Sequence, residues 1–176
     1  MRSALRRGGR DPAQLVGDQE RGGGQEVQYG GLGQTIGWHR FDHEHHAAAT
    51  RYWHADVHAA HQAGDTDMGA GAISDIAYQN IRLGQPRAAT EGLEHALSRT
   101  TNPTARSLLF LRKARAHAML QEPRACYHDL AQAEKSLNSA TDDAPRWCAW
   151  MSNAVVRSVN LSQRRGVSQL IYVLAS

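Results

Sequence analysis

Two cysteines occur in the 176 residues, and no apolar run approaches the ~20 residues that a membrane-spanning helix needs. Cys126 and Cys148 cannot build a disulfide framework, and the arginines near the start lead into glycines and polar residues instead of an apolar leader core. These absences point to a reducing cytoplasm. Charge of one sign is also scarce: Lys+Arg 20 stands against Asp+Glu 17, a net of +3, and Lys113 and Lys135 are the sole lysines. A nucleic-acid surface shows a basic stripe or a recognisable module, and neither is present. The denser group Arg2, Arg6, Arg7 and Arg10 offers nonspecific phosphate attraction at most. DNA binding through that N-terminus stays a minor alternative, and direct nucleic-acid binding is not expected.

Glycine is plentiful by contrast, with 16 in the chain, and pairs or triplets recur at Gly8-Gly9, Gly22-Gly23-Gly24 and Gly30-Gly31. Such density breaks any helical period, so residues 1–33 are predicted to be a disordered Gly/Arg-rich tail. Gly30, Gly31 and Gly33 follow no credible strand and lack the lysine of a phosphate loop, which excludes that reading.

From residue 34 a repeat emerges. The polar breaks Asp42-His43-Glu44-His45, Leu83-Gly84-Gln85-Pro86 and Leu120-Gln121-Glu122-Pro123 each precede a run with small or apolar residues at matching steps: Ala49 and Trp53; Ala89, Leu93 and Ala96; Cys126, Leu130 and Ala133. Ala49, Ala89 and Cys126 are separated by 40 and 37 residues, a period that marks a helical-hairpin array. Helices are predicted over residues 34–41, 46–63, 69–83, 87–99, 104–120 and 123–139. In the second, Ala49, Trp53, Val57 and Ala60 form the apolar stripe. Asp65 or Asp67 can cap the third, and Pro86 and Pro123 suit first turns. Alanines at 49, 89 and 133 allow close backbone approach, while Trp53, Leu93 and Leu130 fill space between hairpins. Residues 34–140 thus read as the repeat domain. Residues 141–176 read as a partial or degenerate further repeat in which Pro145-Arg146-Trp147 could open a fourth hairpin, with Trp147 and Trp150 as its packing residues.

These landmarks resemble tetratricopeptide repeats. Gly37, Ala49 and Trp53 match in the first unit, Ala77, Gly84, Ala89, Leu93 and Ala96 in the second, and Ala114, Cys126, Leu130 and Ala133 in the third. Asp56 departs where the family carries a small residue, and Lys113 departs at a usually apolar position. The stretches Arg51-Tyr52-Trp53-His54-Ala55, Ser74-Asp75-Ile76-Ala77-Tyr78-Gln79 and Thr104-Ala105-Arg106-Ser107-Leu108-Leu109 are similar to tetratricopeptide regulatory proteins of actinomycetes, often of Streptomyces. That resemblance, over residues 34–152, implies an all-α fold of antiparallel helical hairpins stacked in a right-handed superhelix. It also implies a cytoplasmic regulatory protein that acts by binding partners in transcriptional control. The group's N-terminal helix-turn-helix domain is missing here, and its pattern stops after Met151, as in a truncated or frame-altered product. An array ending so, with apolar Leu170-Ile171-Tyr172-Val173-Leu174 near its end, is expected to be marginally stable or to form homo-oligomers through that region.

In such an array the first helix of each hairpin lines the inner surface. Tyr78, Asn80, Arg82, Arg112, Arg115 and His117 are therefore the candidate groove residues, with Arg112 and Arg115 able to take a carboxylate bidentately. A competing reading places a metal on His54, His58 and His61 with Asp65, since the three histidines share a helix face. The run His43-Glu44-His45-His46 falls short of a zincin helix because Ala47 stands where the second histidine is needed. Ser74 beside Asp75, and Cys126 near His128, sit on no nucleophile elbow or activating helix start. The sequence therefore reads as a noncatalytic protein- or peptide-binding scaffold that uses no cofactor, with a metal-binding or enzymatic role for the histidine face as the alternative.

Overall fold

A computed structural model describes residues 26–151. They form six helices and no strand: α1 (Glu26–Asp42), α2 (His46–Ala63), α3 (Thr66–Arg82), α4 (Pro86–Arg99), α5 (Pro103–Met119) and α6 (Pro123–Asn138). None of these is long and apolar enough to cross a membrane. Helix starts follow from local chemistry. Proline opens α4, α5 and α6 at the position where its missing N–H costs no hydrogen bond. Asp65 caps α3 by accepting from Met68 N at 2.9 Å, and Asn102 caps α5 by accepting from Thr104 and Ala105.

Within each hairpin the turn is the same object. Glu44, Gly84 and Gln121 take left-handed backbone, with φ of 61°, 73° and 59°. The next residue's N–H closes the turn onto the carbonyl of Arg40, Asn80 or His117, at 2.9, 2.8 and 3.0 Å. These triplets carry the 40- and 37-residue spacing of the sequence repeat, and so do the buried positions. Ala49, Ala89 and Cys126 are buried, as are Trp53, Leu93 and Leu130, and Ala60, Thr100 and Leu137. The outer helices α2, α4 and α6 each bury one stripe. By contrast α3 and α5 are buried around most of their girth, because each touches its hairpin partner, the preceding outer helix and one another. The core accordingly has two clusters. One lies among α3, α4 and α5 around Ile81, Leu93 and Leu109, and one lies between α5 and α6 around Leu111, Leu130 and Leu137.

Three expectations need correction. First, α1 begins at Glu26, so part of the glycine-rich stretch assigned to a tail is helix; the rest, residues 1–25, lies outside the described residues. The reason is contact. A Cβ on Gly33 would lie 2.0 Å from Asp56 Oδ1, and one on Gly37 would lie 2.2 Å from Trp53 Nε1. Each glycine costs a helix roughly 1 kcal/mol relative to alanine, but here the missing side chains let α2 seat a tryptophan and an aspartate against the α1 backbone. Second, the α2 stripe keeps Ala49, Trp53 and Ala60 as expected, but Asp56 is buried in it and Val57 only half-buried. Third, residues 146–150 form turns where a fourth hairpin was expected to open. That segment folds back: Cys148 and Met151 join the α5–α6 cluster, and Trp147 lies against Gly71, where a Cβ would come within 2.9 Å of its ring. Trp150 is left 58% exposed. Residues 152–176, including the apolar end expected to self-associate, lie outside the described residues.

Candidate functional site

The first helices of the hairpins bring one set of side chains together. On α1, Gln34, Trp38 and Phe41 share a face at i, i+4 and i+7; on α3, Asp75, Tyr78 and Arg82 do so; on α5, Arg112 and Arg115 stand one turn apart. Trp38, Tyr78 and Arg115 occupy equivalent repeat positions, as do Thr35, Asp75 and Arg112.

Tyr78 is the hub. Its ring lies 5.3 Å from Trp38 and 5.7 Å from Phe41, and the guanidiniums of Arg112 and Arg115 lie 5.2 and 5.3 Å from its centroid. Contacts of this kind attract the cation to the ring's electron-rich face. The two arginines then diverge. Arg112 Nη1 pairs with Asp75 Oδ1 at 2.9 Å, with side chains 11% and 3% exposed, and Gln34 Nε2 donates to the other Asp75 oxygen at 2.7 Å. Asp75 is thus fully engaged. Arg115 instead has Nε and Nη2 buried with no acceptor among the described residues. Those two nitrogens form one edge of the guanidinium fork, the edge that takes both oxygens of a carboxylate. Burial lowers the Arg115 pKa; the charge of Tyr78 and a side-chain hydrogen bond with it oppose that shift, while the charges of Arg82 and Arg112 add to it. An anion placed here would be met by positive charge in a site largely withdrawn from water. A cavity of about 240 Å³ adjoins the network, lined by Gln34, Thr35, Trp38, Asp75, Arg112, Trp147 and Trp150.

Four of the six expected groove residues, Tyr78, Arg82, Arg112 and Arg115, meet here. Asn80 and His117 do not. Both occupy the repeat position whose carbonyl closes the hairpin turn. The His117 ring looks toward α6, 3.5 Å from Glu122 Oε2 and 4.0 Å from Asp129 Oδ2. Lys113 lies there as well, 3.1 Å from Glu94 and 3.9 Å from Asp129, which accounts for a charged residue at a usually apolar position. Trp38, Gln34 and Asp75 escaped the sequence reading as groove residues, although the repeat spacing applied to Tyr78, Arg112 and Arg115 leads to Trp38, Asp75 and Thr35.

The metal reading is corrected. His54, His58 and His61 are exposed on α2, while Asp65 lies beyond the left-handed stop at Gly64 and is spent on the α3 cap. No three His, Cys, Asp or Glu groups among the described residues are placed to share a metal ion. Of the nucleophile candidates, Cys126 is buried and its thiol is pushed up to about 11, by burial first and then by the charge of Asp129. His128 is 67% exposed and points to Asp129 at 3.3 Å. Ser74 is buried with no hydrogen-bond partner for its hydroxyl among the described residues. The arginines proposed as a minor DNA contact, residues 2–10, lie outside the described residues.

Compared with known proteins, the chain matches no family model, no curated protein and no solved structure.

Proposed function

We propose that the protein is a noncatalytic scaffold of tetratricopeptide type whose α1, α3 and α5 layer binds an extended peptide or protein segment through an acidic group. The observation that carries this reading is the unpaired Nε/Nη2 edge of Arg115, held against Tyr78 beside the closed Arg112–Asp75 pair. A buried guanidinium edge without an acceptor is costly to leave unmade, and a ligand carboxylate removes that cost. Support for a repeat scaffold comes from the three equivalent turns and the buried positions in common register. Stacking of the hairpins in a right-handed superhelix would make this layer the inner surface. A regulatory role in transcription, through protein contact in the cytoplasm, is the biological setting that the resemblance to actinomycete regulators suggests.

The test is fluorescence polarisation with labelled, acetylated and amidated nonapeptides that carry one glutamate or a glutamine in its place. The glutamate peptide should bind more tightly to the wild-type chain, and Arg115→Gln should remove about tenfold or more of its affinity, in line with ~1.5–3 kcal/mol for a charged hydrogen bond. Equal binding of both peptides, or an unchanged affinity in Arg115→Gln, would overturn the proposal.

A further inference from the structure

The small cavity beside Arg112 shares Gln34, Thr35 and Trp147 with a second, larger one of about 930 Å³. Its character is opposite. Four carboxylates line it: Asp56 from α2, Asp65 from the α2–α3 turn, Asp67 from the first turn of α3, and Asp143 from the chain after α6. Arg146, exposed beside Asp143, is the one cationic residue in the lining. Apolar surface is supplied by Leu32, Met68 and Trp147.

The four acids are not equally occupied. Asp65 Oδ1 caps α3, Asp67 Oδ1 accepts from the Thr100 hydroxyl, and Asp143 Oδ1 accepts from the Thr141 hydroxyl. Asp56 differs. It is 6% exposed, its carboxyl rests over the bare Cα of Gly33, and its Oδ2 has no donor among the described residues. A buried acceptor left without a donor is destabilising unless something fills the vacancy. Asp75, the α3 acid whose charge acts on Asp56, already has Arg112 and Gln34 and leaves Asp56 without a cation of its own.

We infer that this cavity receives an arginine side chain of the bound peptide, with its guanidinium against Asp56 and its methylene stem along Leu32 and Met68. The inference rests on the peptide-binding reading above and adds a second specificity element to it. A metal ion does not suit the place, since no three of the acids converge on one point. Dispersed acceptors instead suit the five spread donors of a guanidinium better than the single compact head of an ammonium. Acid would be read at Arg115 on α5 and base at Asp56 on α2, so the peptide's direction along the layer is set by its charges.

The experiment uses the full chain at pH 8, where the Asp56 carboxyl, raised to about 7 by burial and then by Asp75, carries its charge. Polarisation is measured with four nonapeptides, bearing glutamate alone, arginine alone, both, or neither. The doubly charged peptide should bind about tenfold more tightly than the glutamate peptide, and Asp56→Asn should erase that gain while leaving the glutamate peptide's affinity unchanged. Arg115→Gln should do the reverse. Agmatine, a free guanidinium, should compete weakly. If it displaces the arginine peptide at equal concentration and loses its grip in Asp56→Asn, the site takes a small cation and the peptide assignment is overturned. An arginine gain that survives Asp56→Asn, or no gain at all, also overturns the inference while leaving glutamate binding intact. Asp56-dependent binding of the arginine peptide without any glutamate preference would instead sink the Arg115 reading and retain this one. If no peptide binds, both fail.

Discussion

Asp56 shows how one side chain can be tolerated where a repeat wants a small residue. Its equivalents, Ala96 and Ala133, are buried alanines facing ordinary neighbours, while Asp56 faces Gly33, so the volume gained on α2 is removed from α1. Solvation is the remaining cost. The Asp56 carboxyl sits at about 7 against an ordinary 3.8, because burial and then the charge of Asp75 favour the neutral form. Between pH 4 and 7 the folded chain holds a proton that the unfolded chain releases, so this group's contribution falls as pH rises through that window and its penalty is complete above 7. Asp56→Asn, which stays neutral, should therefore match the wild type near pH 4 and exceed it at pH 8 by on the order of 1–2 kcal/mol, since solvent screening takes back much of the ~1.4 kcal/mol per pKa unit. Urea midpoints at the two pH values check this; a gap of the same size at both would show that ionisation is not the cause. The repeat register already set Asp56 at a packed small-residue position; the bare Gly33 opposite it and the shift toward the neutral form were not readable, because Gly33 and Asp56 lie in different helices.

The turn within each hairpin poses the same conformational problem, and the chain solves it with different residues. Gly84 meets a φ of 73° without penalty, whereas Glu44 and Gln121 hold side chains at 61° and 59°. A side chain in left-handed backbone costs ~1–2 kcal/mol, part of which glycine gives back through its looser unfolded state. Gln121→Gly is expected to stabilise the protein by about 1 kcal/mol, and Gly84→Ala to destabilise it by a similar amount. Thermal midpoints of the two variants should move in opposite directions; movement together would mean that the turns are not equivalent. At this scale the sequence was most informative. Prolines and polar breaks placed the starts of α4 and α6 within a residue, because N-terminal proline and the C-terminal turn are local chemistry. The start of α1 was not readable: local propensity argues against a helix through Gly31, Gly33 and Gly37, and packing of Trp53 and Asp56 overrides it.

Among the described helices, contacts run mainly between neighbours in the chain: α1 with α2, α2 with α3, and so on to α6, supplemented by α1 with α3 and α3 with α5. A structure so connected behaves as a line of units coupled to their neighbours. Leu130 is buried between α5 and α6, and Leu130→Ala should cost ~2–5 kcal/mol. The loss should be local. Hydrogen exchange should accelerate most in α5 and α6, while α1 and α2 keep most of their protection. Uniform acceleration from Glu26 to Asn138 would show that the described helices unfold as one block. The proposed binding layer inherits this arrangement, since Trp38, Tyr78 and Arg115 come from three successive units and no single hairpin holds all three.

What the sequence determined by itself was the repeat: its spacing of 40 and 37 residues, the helices that follow from it, and the small or bulky residue at each buried position of α2, α4 and α6. Periodicity along a helix reports which face is apolar, and that is a property of the helix alone. The tertiary structure decided which faces meet. It set Arg112 on Asp75, left Arg115 and Asp56 with open polar edges, and carried α1 through its glycines. Those outcomes depend on ångström-scale distances between helices far apart in the chain, and no pattern within one helix encodes them.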